Sequence, residues 1–559
     1  MLPAEVWDYI VVGGGLAGTV VSSRLLALNS SAKILVIEAG QSAAGRSDIL
    51  YVNSTNLIQG DFDWNDYSIP QPQLDNRTIQ MAAGKGLGGG SLINTCKYST
   101  SSGWMRGARV DYDEWAELVN DSRWSYESQL PYFKRTEEYW TRDINPEQHG
   151  HEGPLTIEVP SVTGRVYPLR DAVLDSYASV GIEALPGLDA NGGTNIGVGE
   201  IAENRRNGVR QITPEYYSLD GATVMTGTLV EKVLIDEDNL GNPVATGVRL
   251  ANGTEIRGKK VIAAAGAYRT PQLLMLSGVG PSDVLEEHGI EQKVDLPEVG
   301  KNFADHPFFI ANWRLAPEYR NATVDSGNPL FFKPEYGLGQ PNNFVASFNV
   351  EDKTGLAEAI SREECKTPDA ETDPLLKDER TLMEAFVLYV NTNPSLPSNY
   401  TYLTTANVGL LPTSRGSVTI ASRDPETPPL INPNFFASEV DRFVWRDLIR
   451  RMIRMMVGGE STLSRGIVEA EAPPAGLKAL TVDSTDEEIE TRIRAAVIGT
   501  YHPMGTCAMG KVVDSDLRVK GVANLSVVDA SVFPTIITAH IQAAVYALAE
   551  QAAEIIASS

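Results

Sequence analysis

A glycine-rich turn between two apolar stretches constrains the fold more than any other feature of the chain. WDYIVVGGGLAGTVVSSRLL reads as a strand, a turn and a helix, with Gly13, Gly15 and Gly18 spaced as G-x-G-x-x-G. The first glycine permits the bend, the second lets a pyrophosphate approach the backbone, and the third lets helix and strand pack closely. The next apolar stretch, KILVIEAG, supplies Glu38, a carboxylate placed to bind ribose hydroxyls. The sequence therefore predicts an α/β, Rossmann-like domain that binds NAD or FAD.

Length and charge limit the remaining possibilities. A chain of 559 residues is too long for one core, so two or more domains are expected. The net charge of −25 disfavours nucleic acids and anionic membranes as partners. The uncharged stretch 530–549 has the length of a membrane span. It contains Pro534, His540 and Gln542, however, which favours a buried loop and helix of a soluble core.

Eight Asn-x-Ser/Thr sequons favour a secreted, glycosylated protein, because a sequon is used only on a secreted chain. They lie at Asn29, Asn53, Asn76, Asn120, Asn252, Asn321, Asn399 and Asn524. Asn29 and Asn524 adjoin strand patterns and are expected to be among the less accessible ones. No apolar signal region precedes Asp8. A removed signal and a cytoplasmic location therefore both stay open.

A second glycine cluster resembles a signature of a known enzyme family. AAGKGLGGGSLINTCKYS, residues 82–99, resembles the first signature of the glucose–methanol–choline (GMC) oxidoreductases, which use FAD. GAYRTPQLLMLSGVG, residues 266–280, resembles their second signature. LPEVGKNFADHP and the terminal YHPMGTCAMG resemble further blocks of the family, in the same order along the chain. The resemblance extends from residue 8 to about residue 556.

The resemblance implies a discontinuous α/β fold. The FAD-binding domain would comprise residues 1–155, 215–315 and 495–559. A substrate domain, with an antiparallel sheet flanked by helices, would comprise residues 156–214 and 316–494. The residues agree with this division, because the stretch 397–422 alternates and breaks at turns as an antiparallel sheet does.

The resemblance also implies contacts to the cofactor, residue by residue. Leu16 and Ala17 correspond to positions near the pyrophosphate, and Glu38 corresponds to the acid that binds the ribose. Gly90, Asn94 and Thr95 correspond to positions that line the flavin, and Val230 to a backbone contact with the adenine. Ala530 and Gln542 correspond to the chain near the flavin. Some members attach FAD through a histidine directly before the asparagine, and Ile93 stands there. Non-covalent FAD is therefore expected. Lys97 departs from the family pattern and has no assigned role.

Two histidines are the candidates for chemistry. Oxidation of an alcohol needs a base for the hydroxyl proton, and histidine titrates near neutral pH. His502 in YHPMGTC suits that role, although the motif alone is equally compatible with a buried packing histidine. His540 could donate a hydrogen bond to the developing alkoxide. The resemblance supports this pairing, since the family carries His at the first place and His or Asn at the second.

The other reactive side chains receive simpler interpretations. His149 and His151 form H-x-H without a third ligand nearby, so no metal site is predicted. His306 is expected to hydrogen-bond backbone near the cofactor. Cys507 is expected to be a small buried apolar residue rather than a nucleophile.

Two departures from the family pattern restrict the predicted class of substrate. Sugar-oxidising fungal members tend to carry Arg and Asn where Ile498 and Thr500 stand. Loss of a bidentate donor weakens recognition of a polyol. A primary aryl, allylic or aliphatic alcohol is therefore predicted, with oxygen or a quinone as electron acceptor. A sugar oxidase or dehydrogenase, a hydroxynitrile lyase, a dehydrative cyclase and a ligand-binding protein stay open, as does the oligomeric state.

Overall fold

The structure is a computed structural model that describes residues 6–51, 57–94, 103–142, 145–377, 380–397 and 401–559. Thr95, Cys96 and Lys97 lie outside these ranges, as do the sequon residues Asn53 and Asn399. Helices and strands are numbered along the chain.

The glycine-rich turn belongs to a mixed sheet of seven strands within the described ranges, with the order β11-β2-β1-β14-β13-β12 and β25 beside β14. β1, β2, β11, β14 and β25 run parallel, whereas β12 and β13 extend the sheet as antiparallel strands. The apolar stretches IVV and ILVI are buried, as expected of parallel strands covered on both faces. The strands are β1 Trp7–Val12, β2 Ile34–Ile37, β11 Thr223–Met225, β12 Val230–Glu237, β13 Pro243–Leu250, β14 Glu255–Ala263 and β25 Leu525–Val527.

A second sheet, of eight strands in the described part of the chain, has the order β23-β17-β20-β19-β18-β8-β7, with β24 also beside β17. Its pairs are antiparallel except for β7 and β8. The strands are β7 Ala184–Asp189, β8 Gly197–Glu200, β17 Pro307–Leu315, β18 Phe344–Phe348, β19 Met383–Leu388, β20 Tyr402–Gly409, β23 Val468–Ala472 and β24 Ile498–Gly499.

Smaller sheets contain the other strands of the described residues. One has the order β10-β9-β6-β5, and three others are strand pairs. Their strands are β3 Gln41–Ser42, β4 Gly86–Leu87, β5 Glu137–Trp140, β6 Leu155–Glu158, β9 Glu203–Arg206, β10 Val209–Arg210, β15 Val279–Gly280, β16 Val294–Asp295, β21 Ser417–Thr419 and β22 Leu430–Asn432.

Helices cover the sheets. They are α1 Leu16–Leu28, α2 Gly90–Ile93, α3 Arg109–Val119, α4 Tyr126–Thr136, α5 Pro160–Thr163, α6 Arg170–Ser179, α7 Thr213–Tyr216, α8 Gly266–Leu276, α9 Ser282–Glu287, α10 Lys353–Glu364, α11 Glu439–Val457, α12 Asp486–Ala496 and α13 Gln542–Ser558. The uncharged stretch 530–549 forms a loop and the first part of α13, which packs on α1. Of the helices in the described ranges, none combines the length and apolar composition that a membrane crossing requires.

The predicted α/β fold class is confirmed: one sheet carries the dinucleotide-type turn and the other is antiparallel apart from one pair. The exact domain boundaries stay a prediction. One connection matters for the site, because β24 pairs with β17 and leads directly into the loop that carries His502.

Candidate active site

The glycines of the first turn are required by close backbone packing. Gly13 has φ +101°, and a Cβ there would lie 2.3 Å from the carbonyl oxygen of Ala264. A Cβ on Gly18 would lie 1.9 Å from the carbonyl oxygen of Gly13. Neither position admits a larger residue while β1, β14 and α1 keep their places.

One elongated cavity brings most of the predicted site residues together. It is lined by Gly13, Gly15, Leu16, Ala17, Glu38, Gly90, Asn94, Val230, Ala530, Gln542, His502 and His540. Gly18 is not on this surface, because it faces the first turn, as the packing role of the third glycine requires. Thr95 lies outside the described residues.

The cavity fits a dinucleotide such as FAD. A Cβ on Gly90 or Gly266 would meet no protein atom within 4 Å, so these glycines leave room along the wall. The buried Nε2 of Gln542 has no hydrogen-bond partner within the described ranges. The backbone N–H groups that begin α1 have no side-chain cap and can bind phosphate oxygens.

Glu38, which is predicted to bind a ribose, lies on the cavity wall and is held by backbone groups. Its carboxylate accepts hydrogen bonds from the backbone N–H of Gly14 and of Gly40, each at 2.8 Å. Burial raises the pKa of this carboxyl, against the lowering effect of those two hydrogen bonds. Each oxygen keeps a second lone pair with which it can accept a ribose hydroxyl.

A buried aspartate shapes the loop that carries His502. Oδ1 of Asp305 accepts hydrogen bonds from the backbone N–H of His502 at 2.8 Å and from the hydroxyl of Thr500 at 3.2 Å. Between them Tyr501 adopts φ 64°, a left-handed conformation that is costly for an aromatic residue. Burial raises the pKa of Asp305 to about 6. The loop geometry is thus maintained by contacts from the start of β17.

His502 is half-buried and lies against two other imidazoles. Its Nδ1 lies 3.0 Å from Nδ1 of His306, and its ring centroid lies 5.0 Å from that of His540. Burial, reinforced by His540 and His306, lowers the pKa of His502 well below its usual range. The ring is therefore neutral at neutral pH and able to accept a proton.

His540 is anchored by the second sheet. Its Nε2 lies 2.7 Å from Oε1 of Glu384, a fully buried residue of β19. On the same strand, the ring of Phe386 lies 5.8 Å from the His540 ring in an edge-on arrangement. The preceding loop is held by Asp111, which accepts hydrogen bonds from the backbone N–H and the hydroxyl of Thr538. Both histidine loops are thus positioned by buried carboxylates.

Glu384, Asp305 and Asp111 were not identified from the sequence. Glu384 did leave a signal, because one carboxylate stands in the otherwise apolar strand MEAFVL. A charge in a fully buried strand needs a partner. Its partner lies 156 residues away, so the pairing itself had no local signature.

The structure also shows the surroundings of His149 and Cys507. His149 lies between Asp189 at 3.0 Å and Glu137 at 3.3 Å, hydrogen bonds that raise its pKa although burial opposes the charged form. No group of three or more His, Cys, Asp or Glu side chains in the described part of the chain is arranged to hold a metal ion. Cys507 is buried, which raises its thiol pKa.

Comparisons with known proteins show which family the chain belongs to. The N-terminal and C-terminal parts of the GMC oxidoreductase family match residues 7–308 and 412–549. The GMC-type oxidoreductase acuG of Aspergillus aculeatus is 35% identical, over 99% of both chains. Pyridoxine 4-oxidase of Microbacterium luteolum is 31% identical, over 97% of this chain and 98% of its own.

A solved structure extends the likeness to three dimensions. A variant of formate oxidase from Aspergillus oryzae RIB40 superimposes with a TM-score of 0.85 at 26% identity, over 99% of this chain and 98% of that one. The family match covers more than half of the chain, and the dinucleotide cavity and the two histidines occupy one site. The chain therefore belongs to the GMC oxidoreductases and is an FAD-dependent oxidoreductase.

Proposed function

We propose that the protein oxidises a primary alcohol of low polarity, aryl, allylic or aliphatic, with His502 as the proton acceptor. The observation that carries this proposal is the proximity of His502 and His540, whose ring centroids lie 5.0 Å apart on the wall of the dinucleotide cavity. When bound, FAD supplies the acceptor for the hydride that leaves the alcohol carbon.

Two histidines act on the hydroxyl group of the substrate. His502 takes the hydroxyl proton, so that the alkoxide can release hydride. His540, held by Glu384, orients the substrate oxygen and stabilises its developing negative charge. Burial excludes bulk water, and it strengthens both interactions.

An apolar row beside His540 supports the choice of substrate. Val345, Phe386, Ala406 and Ile310 are directly opposite one another across β18, β19, β20 and β17. Directly opposed residues share one face of an antiparallel sheet. Since Phe386 contacts His540, this face is the one turned towards the site. The four side chains of this row, like that of Ile498, cannot donate a hydrogen bond to a polyol, and the hydroxyl of Thr500 already donates to Asp305.

Anaerobic mixing of the holoenzyme with benzyl alcohol or glucose tests the proposal. We expect benzyl alcohol to remove the flavin absorbance at least about 10-fold more efficiently, because matching one apolar group contributes about 1–3 kcal/mol. Comparable reduction by glucose would contradict the choice of substrate. Product formation with the flavin absorbance unchanged would point instead to a lyase or cyclase. Repeating the reaction with oxygen and with an artificial quinone identifies the electron acceptor.

The FAD is proposed to be non-covalent. Ile93 lines the cavity at the place where some family members carry the attaching histidine, and its side chain cannot form such a bond. Among the six histidines, all of which are described, only His502 and His540 line the cavity. Acid precipitation should release the flavin into the supernatant, whereas flavin that stays with the pellet would contradict this.

The protein is also proposed to be a secreted glycoprotein. All six described sequon asparagines are exposed, including Asn29 and Asn524, which the sequence analysis expected to be less accessible. Asn29 caps the end of α1, and Asn524 lies in a turn with φ 60° before β25. Endoglycosidase treatment of protein secreted by a fungal host should lower its apparent mass. An unchanged mass would contradict glycosylation.

A further inference from the structure

Three imidazoles and one carbonyl form a chain of contacts behind the candidate base. Nε2 of His306 lies 3.1 Å from the carbonyl oxygen of Ile537, and Nδ1 of His306 lies 3.0 Å from Nδ1 of His502. His306 is fully buried and directly precedes β17 of the second sheet. Its predicted backbone hydrogen bond is thus present, but its contact with His502 was not expected.

The protonation of His306 follows from its surroundings. Burial and the neighbouring His540 lower the pKa of His306 to about 3, so the ring is neutral at neutral pH. The other charged or titratable groups facing the three imidazoles are Asp305, Glu384 and Arg415. A neutral imidazole carries one N–H and one bare nitrogen.

The carbonyl of Ile537 determines which ring nitrogen of His306 carries the proton. A carbonyl oxygen can only accept, so the hydrogen bond to Ile537 requires the N–H of His306 to be on Nε2. Nδ1 of His306 is then a bare acceptor. The 3.0 Å contact is a hydrogen bond only if Nδ1 of His502 carries a proton and donates it.

We infer that His306 is a positioning residue that holds His502 in the Nδ1–H tautomer and leaves Nε2 of His502 as the atom that accepts the alcohol proton. The opposite tautomer would present an N–H to the substrate, and such a group can donate but cannot act as a base. A neutral histidine rather than a carboxylate fills the position behind the base. The inference rests on the proposed role of His502.

Two isosteric substitutions separate the two contacts of His306. In His306→Asn, the amide oxygen takes the place of Nδ1 and can accept from His502, while the contact with Ile537 is lost because no atom replaces Nε2. In His306→Gln, the amide takes the place of Nε2 and keeps the Ile537 contact without an acceptor at the Nδ1 position. We expect flavin reduction to slow on the order of 10²-fold in the Gln variant and less than about 5-fold in the Asn variant, since a wrong tautomer removes general-base catalysis.

A spectroscopic readout distinguishes this role from a structural one. Nitrogen-15 spectra of the holoenzyme, with His502 assigned by its loss in His502→Ala, should show a protonated Nδ1 and a bare Nε2. The Gln variant should show the opposite pattern, with flavin content and Tm matching those of the Asn variant. A bare Nδ1 in the unaltered protein, or equal slowing in both variants, would overturn the inference. If the tautomer is as inferred but His502→Ala leaves flavin reduction unchanged, the proposed function fails and the tautomer assignment stands.

Discussion

Replacing His502 with alanine is expected to slow reduction of the bound flavin by the alcohol about 10²–10⁴-fold, the range that general-base catalysis contributes. His502 is the half-buried imidazole on the cavity wall whose pKa is lowered, so that it is neutral at neutral pH and can accept a proton. Without it, the hydroxyl proton has no acceptor when hydride leaves. Stopped-flow measurement of flavin reduction under anaerobic conditions gives the rate directly.

The His502→Ala substitution should lower the rate of flavin reduction without lowering the flavin content of the protein. Flavin content should stay near that of the unaltered protein, because the predicted cofactor contacts are spread over the length of the cavity. His151→Ala provides a matched control, since that histidine is exposed on the surface. A His502→Ala enzyme within about 10-fold of the unaltered rate would contradict the role of base, because that is less than such a base contributes.

Replacing Gly18 with valine is expected to prevent formation of a stable holoenzyme. The new Cβ would lie 1.9 Å from the carbonyl oxygen of Gly13 and 3.3 Å from Cβ of Ala264. Overpacking of this kind costs about 1–3 kcal/mol or more. The first turn would have to open, which displaces the N-terminus of α1. Flavin content and Tm of the purified protein measure the effect, and both should fall.

Gly90→Ala is the matched control for this substitution. Its Cβ would meet no protein atom within 4 Å but would project from a residue of the cavity wall. We expect the Tm of the flavin-free protein to be unchanged, while its affinity for FAD weakens. Equal Tm values for the Gly18→Val and unaltered proteins would show that the first turn tolerates a side chain.

Local patterns selected three of the predicted cofactor residues that line one cavity. Gly13, Gly15 and Glu38 are close in sequence because a strand, a turn and a second strand build one wall, so their spacing reflects the geometry directly. The fold class followed from the same pattern and from the family resemblance. His502 and His540 were identified by combining the resemblance with the chemistry of alcohol oxidation.

The supporting residues could not be predicted in the same way. Asp305 contacts a residue 197 positions away, and Glu384 contacts one 156 positions away. The first contact depends on the pairing of β24 with β17 within one sheet, and the second on where the loop before α13 meets that sheet. No spacing along the chain reveals either arrangement. His306 was correctly expected to bind backbone, yet its second nitrogen has the more consequential contact. A single local motif can indicate that a residue is polar and buried. Which residue it contacts depends on the three-dimensional fold.

The attachment of both histidine loops to the antiparallel sheet has a consequence for substrate entry. β24 joins the His502 loop to β17, and Glu384 of β19 binds His540, which directly precedes the helix packed on α1. Hinge opening between the two large sheets would break the His540–Glu384 hydrogen bond and pull the imidazole pair apart. An alcohol is therefore expected to reach the two histidines without separation of the large sheets, so that the catalytic geometry stays assembled while the substrate binds.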